Sequence, residues 1–165
     1  MEIQKVGFVY TIERLGPDGK FLPSQVVHNI MPTVELNYIL AAAFTGGSQY
    51  STWYLGLYGN NYQPIATDTM ITFMAACGEI KSYTGTARQS ITFPAVANAT
   101  LTTLASPNIF EFATGTTVRG AFISSSPTWD GTTGVFCSGV LFPSPEIINS
   151  NGGALRVPVG FTLVG

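Results

Sequence analysis

Charged residues are scarce in this sequence. Asp, Glu, Lys and Arg make up 10% of its 165 residues, whereas they make up roughly 25% of an ordinary globular domain. The seven basic residues stand apart from one another, and the formal net charge is −2. Nucleic-acid binding needs a basic stripe that neutralises phosphates. The sequence therefore predicts no nucleic-acid partner.

Histidine and cysteine are also rare, which limits metal binding and catalysis. The chain has one histidine, His28, and two cysteines, Cys77 and Cys137. Metal sites usually combine several His, Cys or carboxylate side chains, and none stands near His28 in the sequence. We predict a structural or exposed His28, no metal and no cofactor. Both cysteines are expected to be buried free thiols, with a disulfide as the less favoured alternative.

The sequence motifs of common enzymes are absent as well. There is no glycine-rich phosphate loop, no Gly-x-Ser-x-Gly elbow and no His-Glu-x-x-His pair. Acid–base catalysis needs a positioned titratable pair. Asp68 could act as an acid, but its place before an apolar stretch is more typical of a helix cap. The sequence therefore predicts a protein that is not an enzyme and has no catalytic residues.

Long apolar segments are missing too. Residues 1–5 lack the features of a signal peptide, and no apolar run approaches the length of a membrane span. We therefore expect synthesis in a cytoplasm and no membrane partner. Residues 1–165 suit a single domain, and the hydrophobic content of 45% excludes a disordered chain. With so few charges to solvate the outside, we expect a partner to cover part of the surface.

Alternation of apolar and polar residues begins close to the N-terminus. Residues 5–12 alternate strictly, with every second residue from Val6 on an apolar face. A Gly-Pro-Asp-Gly turn at 16–19 and a returning strand at 21–30 complete a hairpin. We expect this hairpin, at 5–30, to be available for contact with a partner.

The rest of the chain contains many further strand patterns. Residues 53–58 are apolar on both faces, which is typical of a central strand covered on both sides. Pro158 cannot donate a ladder hydrogen bond, so the last strand is expected to have a free edge there. Further strands are expected at 88–93, 98–104, 108–113, 117–124, 134–142 and 155–164. Many short strands separated by turn residues predict a mainly β fold, an antiparallel β-sandwich that is jelly-roll-like.

Two short helices are predicted, at 35–44 and 69–77. Thr33 and Asp68 precede them as candidate caps. Each helix has one apolar stripe, which is expected to pack on a sheet. The stripes are Leu36, Ile39, Leu40, Ala43 and Phe44 in the first helix and Met70, Phe73, Met74 and Cys77 in the second.

Three residues are candidates for contact with a partner: Tyr62, Arg88 and Trp129. Tyr62 follows an Asn-Asn turn and is the aromatic residue most expected to be exposed. Arg88 could form a surface cluster with Glu79 and Lys81, serve as a buried anchor, or lie in an interface. Trp129 belongs to a Trp-Asp-Gly turn. Its indole could be an exposed interface hot spot, or it could fold back on its own domain.

Several aromatic residues lie close together in the sequence and could stack on a sugar. They are Trp53, Tyr54, Tyr58 and Tyr62. A carbohydrate platform needs rings exposed on one face, whereas these rings alternate between the two faces of an apolar strand. We therefore favour core packing for this group.

An ordered series of motifs runs through the first half of the sequence. The motifs are VHNIMP at 27–32, ELNYIL at 35–40, TWYLGLY at 52–58, NNYQP at 60–64 and ATDT at 66–69. This order resembles a family of small structural proteins of tailed bacteriophages. The similarity extends over nearly the whole chain, through the region of Arg88 to the last strand.

Some members of that family are capsid decoration (cement) proteins with a jelly-roll-like sandwich, and the resemblance implies this role. It implies a homodimer or homotrimer that binds the major capsid protein on the surface of the virion and is made in the host bacterial cytoplasm. A receptor- or carbohydrate-binding module of a phage head or tail fibre is the alternative. We expect apolar contacts along sheet edges, including the hairpin at 5–30 and the strand at 155–164.

Overall fold

The computed structural model describes residues 7–29, 31–97 and 99–162, which form two antiparallel sheets and two helices. In chain order the elements are β1 (Phe8–Leu15), β2 (Phe21–His28), α1 (Thr33–Phe44), β3 (Trp53–Tyr58), α2 (Met70–Cys77), β4 (Glu79–Ile80), β5 (Gln89–Ile91), β6 (Thr100–Thr102), β7 (Asn108–Phe112), β8 (Thr116–Ser124), β9 (Phe136–Ile148), β10 (Gly153–Val157) and β11 (Val159–Thr162). The first sheet contains β1, β2, β6, β7, β10 and β11, and the second contains β3, β4, β5, β8 and β9. The predicted antiparallel β-sandwich with two short helices is confirmed.

The predicted strands are present with shifted ends. β9 continues to Ile148, beyond the predicted 134–142, and β4 has too few residues for a period to show in the sequence. Outside the described residues lie the predicted strand ends at Lys5, Val6, Ile30, Asn98, Leu163 and Val164.

β1 and β2 form the predicted hairpin. The Gly19 amide donates to the Gly16 carbonyl oxygen at 3.1 Å, with Pro17 in the second turn position. Gly19 has a φ of 74°, a left-handed conformation that glycine adopts without a Cβ clash. Alternate residues of β1 from Phe8 are buried, as the alternation predicts. Within the described ranges β2 pairs only with β1, so its outer edge is unpaired.

The last predicted strand, at 155–164, is split in two and lies inside the first sheet. Pro158 separates β10 from β11, and its carbonyl oxygen accepts a hydrogen bond from the Thr11 amide at 3.0 Å. β1 pairs with both segments on one side, while β7 and β6 pair with them on the other. Pro158 lies at the point where the neighbouring strand changes from β7 to β6. Its missing amide therefore costs no hydrogen bond of the ladder. The expectation that this strand offers an edge to a partner is wrong for its described residues, 155–162, because strands pair with them on both sides.

Apolar cores lie on both faces of the second sheet. One lies between the two sheets and the other between the second sheet and α2. Leu55 and Leu57 of β3 enter the first core, whereas Tyr58 enters the second. This confirms that 53–58 is a central strand covered on both sides. Cys137 lies in the first core and Cys77 in the second, and both are free thiols as predicted.

α2 packs through its predicted apolar stripe, but its cap differs from the prediction. The N-cap is Thr69, whose hydroxyl accepts the Thr72 amide at 3.3 Å, while the Thr72 hydroxyl accepts the Thr69 amide at 2.9 Å. Asp68 is buried and accepts hydrogen bonds from the Tyr62 hydroxyl and the Ile65 amide, each at 2.9 Å. The assignment of Asp68 as the cap is therefore wrong. Its carboxylate ties the preceding loop to the helix instead.

α1 lies where predicted but with the opposite side turned inward. Pro32 occupies its N-cap position without a side-chain hydrogen bond, and the amide of Thr33 donates to the Ala66 carbonyl oxygen at 2.8 Å. The assignment of Thr33 as the cap is therefore wrong, since Thr33 is already helical. The predicted stripe beginning at Leu36 is largely exposed, and Glu35 is the buried residue of the helix. The expectation that this stripe packs on a sheet is also wrong.

Candidate interaction surface

The outward side of α1 is apolar. Leu36 is 40% exposed, Ile39 36%, Leu40 55% and Phe44 81%, and we call these four residues the α1 face. Leu36, Leu40 and Phe44 follow one another at a spacing of four residues, so they line one side of the helix. Contiguous apolar surface of this kind marks sites of interaction on folded proteins.

The inward side of α1 carries a buried carboxyl group. Glu35 is 3% exposed, and its carboxyl group and the buried Cys137 thiol influence each other's pKa. Its Oε2 atom makes no hydrogen bond within the part of the chain that the structure describes. Cys137 lies in a β-bulge, since Phe136 and Cys137 of β9 together oppose Ser124 of β8. The bulge therefore helps to position the Cys137 thiol near Glu35 of α1.

Burial changes the titration of both groups. It raises the pKa of Glu35 to about 7, and the nearby Cys137 thiol opposes this shift only in part. Burial also raises the pKa of the Cys137 thiol, and the neighbouring Glu35 carboxyl raises it further. At mildly acidic pH Glu35 is therefore neutral, and a neutral carboxyl can be buried against the sheet at lower cost than a carboxylate.

Three aromatic rings join α1 to the start of β3. The ring centroid of Trp53 lies 5.6 Å from that of Tyr38 and 5.7 Å from that of Tyr50. Both contacts are edge-to-face, an arrangement that suits the charge distribution of aromatic rings. The Tyr38 hydroxyl oxygen accepts a hydrogen bond from the Tyr50 amide at 2.6 Å. We call these three residues the aromatic cluster.

A shallow cleft of about 350 Å³ lies beside Trp53, at the end of the paired strands β3 and β5. We call it the β3–β5 cleft. Its floor includes the buried Ile91, and no charged side chain lines it. The other residues around it are Ser51, Thr52, Trp53, Ser90, Thr92 and Phe93. Trp53 pairs with Ile91 and faces the core between the sheets, whereas Ser90 pairs with Tyr54 and lies on the other face of the sheet.

Arg88 is a buried anchor, which is one of the three roles considered for it. Its Nε and Nη2 atoms donate to the two carboxylate oxygens of Glu79 at 2.7 and 2.9 Å, and both side chains are 0% exposed. Its Nη1 atom donates to the Ser124 hydroxyl at 3.1 Å and to the Ser126 carbonyl oxygen at 3.0 Å. The guanidinium is therefore not on the surface, where a direct interface contact would require it.

Trp129 folds back on its own domain. Its Nε1 atom donates to the Tyr83 hydroxyl at 2.8 Å, and the two rings are perpendicular with centroids 5.6 Å apart. The next residue, Asp130, forms a surface ion pair with Lys81, and its amide donates to Glu79 Oε2 at 2.6 Å. The indole is half-buried in the turn rather than presented as an exposed hot spot.

Tyr62 is half-buried and fixed at the start of α2. Its hydroxyl donates to the Asp68 carboxylate at 2.9 Å, and its ring centroid lies 6.0 Å from that of Phe73. Burial, together with the bond to Asp68, raises the pKa of Tyr62 to about 12. Arg88 and Trp129 meet at the same turn, while Tyr62 has a separate structural role. Sequence reasoning did not identify the α1 face or Glu35.

The remaining candidates show no assembled chemical site. His28 lies exposed on β2. Among the described residues there is no group of three or more His, Cys, Asp or Glu side chains that could hold a metal ion. In that same part of the chain, no helix has the length and apolar character needed to span a membrane.

Comparison with known proteins does not assign the chain to a family. No family model matches the sequence, and no curated protein and no solved structure matches it either.

Proposed function

We propose that this protein is a capsid decoration protein of a tailed bacteriophage. It binds the outer surface of the major capsid protein lattice and stabilises the DNA-filled head. The motifs at 27–69 support this role through their resemblance, and the exposed α1 face is the observation that carries it. A decoration protein needs a stiff body and a binding surface rather than a catalytic centre, and the sandwich with its outward helix provides both.

The α1 face supports protein binding because it is apolar surface left in contact with water. Fully burying a Leu, Ile or Phe side chain contributes about 1.5–3 kcal/mol. Phe44 is 81% exposed, so most of this free energy would be gained only when a partner covers it. Anchors at a spacing of four residues are typical of a helix that binds in a groove of its partner. The capsid lattice would supply that groove at each of its repeated sites.

Repetition makes modest contacts sufficient. Copies that associate as a homodimer or homotrimer would bind neighbouring capsid subunits together, so avidity raises the overall affinity. Each contact would be of ordinary size, roughly 1,600 Å² in total. A protein that binds only the intact lattice stabilises that lattice by mass action.

Addition of purified protein to heads that lack it tests the proposal. We expect the wild-type protein to restore full occupancy, and the Leu40→Lys, Phe44→Lys double variant to bind poorly. Ile71→Lys is the matched control, because Ile71 is 65% exposed on α2 and outside the α1 face. Loss of binding by both variants, or by neither, would contradict a role for the α1 face.

Salt and heat test the nature and the consequence of that binding. Apolar contacts are not screened, whereas exposed ion pairs weaken as the Debye length falls to about 3 Å at 1 M salt. Occupancy should therefore survive molar NaCl, and decorated heads should withstand heating better than bare ones. Release by salt would indicate an electrostatic contact, and bound protein without added robustness would rule out a cement role.

A receptor- or carbohydrate-binding module of a head or tail fibre is the second candidate. The observation that favours it is the β3–β5 cleft, which no charged side chain of the described residues lines and which Trp53 borders. Copy number separates the two functions, because a decoration protein is present many times on each head and a fibre module only a few times. Quantitative mass spectrometry of purified particles would distinguish them.

A further inference from the structure

A larger cleft lies at the end of the sandwich where the β1–β2 turn and the β9–β10 turn are found. Its volume is about 620 Å³, which falls within the range of small-molecule sites. Residues of both sheets border it, and we call it the end cleft. Among the residues that the structure describes, its charged members are Arg14 of β1 and Glu146 of β9.

Strand pairing places both charged residues on the inner faces of the sheets. Arg14 lies opposite Leu155, which is fully buried in the core between the sheets, so both side chains lie on the same face of the first sheet. Glu146 lies opposite the buried Val118 of β8, which enters the same core. Arg14 and Glu146 therefore border the gap between the sheets from opposite sides, where one ligand can reach both.

The guanidinium of Arg14 is not committed to the protein. It makes no hydrogen bond, ion pair or ring contact within the described ranges, although Arg14 is half-buried. The preceding residue, Glu13, is paired with Arg156 instead. A guanidinium carries several N–H donors in a planar fork that matches a carboxylate. The donors of Arg14 are therefore left to solvent or to an anionic group of a ligand.

Glu146 contributes the opposite charge from the other side of the end cleft. It is 4% exposed, and its Oε1 atom accepts hydrogen bonds from the Ser24 hydroxyl and from Nε2 of Gln25, the latter at 2.6 Å. Its Oε2 atom accepts none within the described ranges, and no ion pair joins Glu146 to Arg14 there. A carboxylate oxygen that is largely removed from water needs a donor, and an ammonium group supplies several.

The two charges and the apolar walls restrict the ligand. A simple anion would be attracted by Arg14 but repelled by Glu146, and a simple cation would meet the reverse. A ligand with one carboxylate and one ammonium group would satisfy both side chains. Leu15 and Leu22 also line the end cleft, and they would cover an apolar segment that connects the two charged groups.

We propose that the end cleft binds a small zwitterion, which is an amino acid or a short peptide with free termini. The carboxylate of the ligand would accept hydrogen bonds from Arg14, and its ammonium group would donate to Oε2 of Glu146. This goes beyond the proposed function, since a decoration protein needs no small-molecule site. The isolated protein is sufficient to test it, so the result is independent of any assay on heads.

Titration of the isotope-labelled protein, followed by NMR, provides the test. The probes are leucine, γ-aminobutyrate and ε-aminocaproate, which differ in the separation of their charges, and the dipeptide glycylleucine. We expect at least one of them to shift the amide signals of Gly152 and Gly153 in a saturable way, because both glycines line the end cleft. Analogues that lack either charge, such as caproate and hexylamine for ε-aminocaproate, should bind about tenfold more weakly.

Charge-neutral variants separate the end cleft from general effects. Arg14→Gln should weaken binding about tenfold, which corresponds to about 1.4 kcal/mol and is within the contribution of a hydrogen bond to a charged group. Arg119→Gln is the matched control, because Arg119 is a half-buried arginine of β8 that does not line the cleft. Glu146→Gln keeps an oxygen for Ser24 and Gln25, and it should weaken binding of the zwitterion but not of its carboxylate analogue.

Three outcomes would overturn the proposal. They are that no zwitterion shifts the signals of Gly152 and Gly153, that the singly charged analogues bind as well as the zwitterion, or that Arg14→Gln and Arg119→Gln have equal effects. Tighter binding of glycylleucine than of the amino acids would support a peptide as the source of the ligand, and the reverse order would support a free amino acid.

Discussion

At the scale of single residues, Arg88 and Glu79 form a charge pair that is fully buried. Besides its two bonds to Glu79, the guanidinium lies 5.0 Å from the ring centroid of Phe122. The Arg88 amide donates to the Pro127 carbonyl oxygen at 2.9 Å. Arg88 Nη2 also contacts the sulfur of Met74 on α2 at 3.1 Å. The residue therefore connects α2 with β8 and with the turn that follows β8.

Arg88→Ala should be strongly destabilising. Removal of one partner leaves the Glu79 carboxylate buried without its counter-charge, which costs about 3–5 kcal/mol in comparable pairs. Urea unfolding followed by circular dichroism measures this. Lys81→Ala is the control, because the Lys81–Asp130 pair is exposed and its loss should leave the unfolding free energy nearly unchanged. Equal effects of the two substitutions would contradict the anchoring role.

Glu35 should make stability fall as the pH rises from about 4.5 to 7. The folded pKa is about 7 and the ordinary value is 4.5, so in this interval the folded state holds the proton more tightly. The shift corresponds to on the order of 3 kcal/mol, which is fully present below the lower value and lost above the higher one. Glu35→Gln should remove this part of the pH dependence, as measured by urea unfolding across the interval.

Glu111→Gln is the matched control for that experiment, since Glu111 is an exposed carboxyl on β7. It should leave the pH dependence as in the wild type. If Glu35→Gln retains the wild-type slope, the carboxyl is not buried in solution as it is beneath α1.

Individual residues also show where sequence reasoning ends. The start of α2 could be predicted to within one residue, but Asp68 and Thr69 are both good caps, and contacts from Tyr62 and Ile65 decide between them. The pairing of Glu35 with Cys137 joins residues far apart in the sequence. No local pattern signals such a contact, so the buried carboxyl could not be predicted.

At the scale of elements, β3 and β8 are joined by two reciprocal pairs of glycine and aromatic residues. Gly56 of β3 lies opposite Phe122 of β8, and Gly120 of β8 lies opposite Tyr58 of β3. A Cβ atom on Gly56 would lie 2.4 Å from Phe122, and one on Gly120 would lie 2.1 Å from Tyr58. Each ring therefore covers the glycine of the opposite strand. Phe73 of α2 packs on both rings, so this arrangement also positions the helix.

Gly120→Ala should destabilise the protein by about 3 kcal/mol, the upper part of the range for overpacked cores. The new methyl group would displace the Tyr58 ring and, through it, α2. Gly160→Ala is a matched control in a strand, because a Cβ atom there has no neighbour closer than 3.7 Å. That control should be neutral or slightly stabilising. Thermal unfolding of both variants decides the matter, and equal melting temperatures would contradict this account.

The two helices show which part of an element a sequence can predict. Helical spacing located both α1 and α2, since the period depends only on local geometry. It could not decide which side of α1 faces the sheet. The apolar stripe of a helix usually faces the core, whereas the α1 face is exposed. The orientation of α1 was therefore predicted wrongly, because its apolar stripe is exposed.

At the scale of the whole molecule, the two thiols report on separate cores. Cys77 lies beneath α2 and Cys137 between the sheets. Burial, with help from the Glu79 charge, raises the pKa of Cys77 to about 12, and burial also raises that of Cys137. Thiols with raised pKa values and no access to solvent react slowly, because the thiolate is the nucleophile.

Alkylation by iodoacetamide at about pH 8 should therefore label neither thiol in the folded protein. Labelling then requires unfolding, and if the domain unfolds as one unit the two thiols should be protected to the same degree relative to the unfolded chain. Mass spectrometry of tryptic peptides gives the two rates separately. Faster labelling of Cys77 would show that α2 opens on its own and would contradict a single cooperative unit.

The overall architecture could be predicted because alternation sets which face of each strand is buried. The division into two sheets depends on contacts between distant segments, such as the pairing of β1 with β10 and β11. Those contacts leave no trace in local periodicity. The same reason explains why the strand at 155–164 was expected at an edge, although it lies between neighbours.

The pairing of β1 with β11 has a mechanical consequence. Phe8 lies directly opposite Phe161, with ring centroids 4.9 Å apart, so the two ends of the described chain leave the sheet side by side. A pulling force applied to both ends would unzip β1 from β11 one pair at a time, which requires far less force than shearing a whole strand. A short linker between these ends, with new termini at the turn around Gly19, should give a circular permutant that keeps the fold.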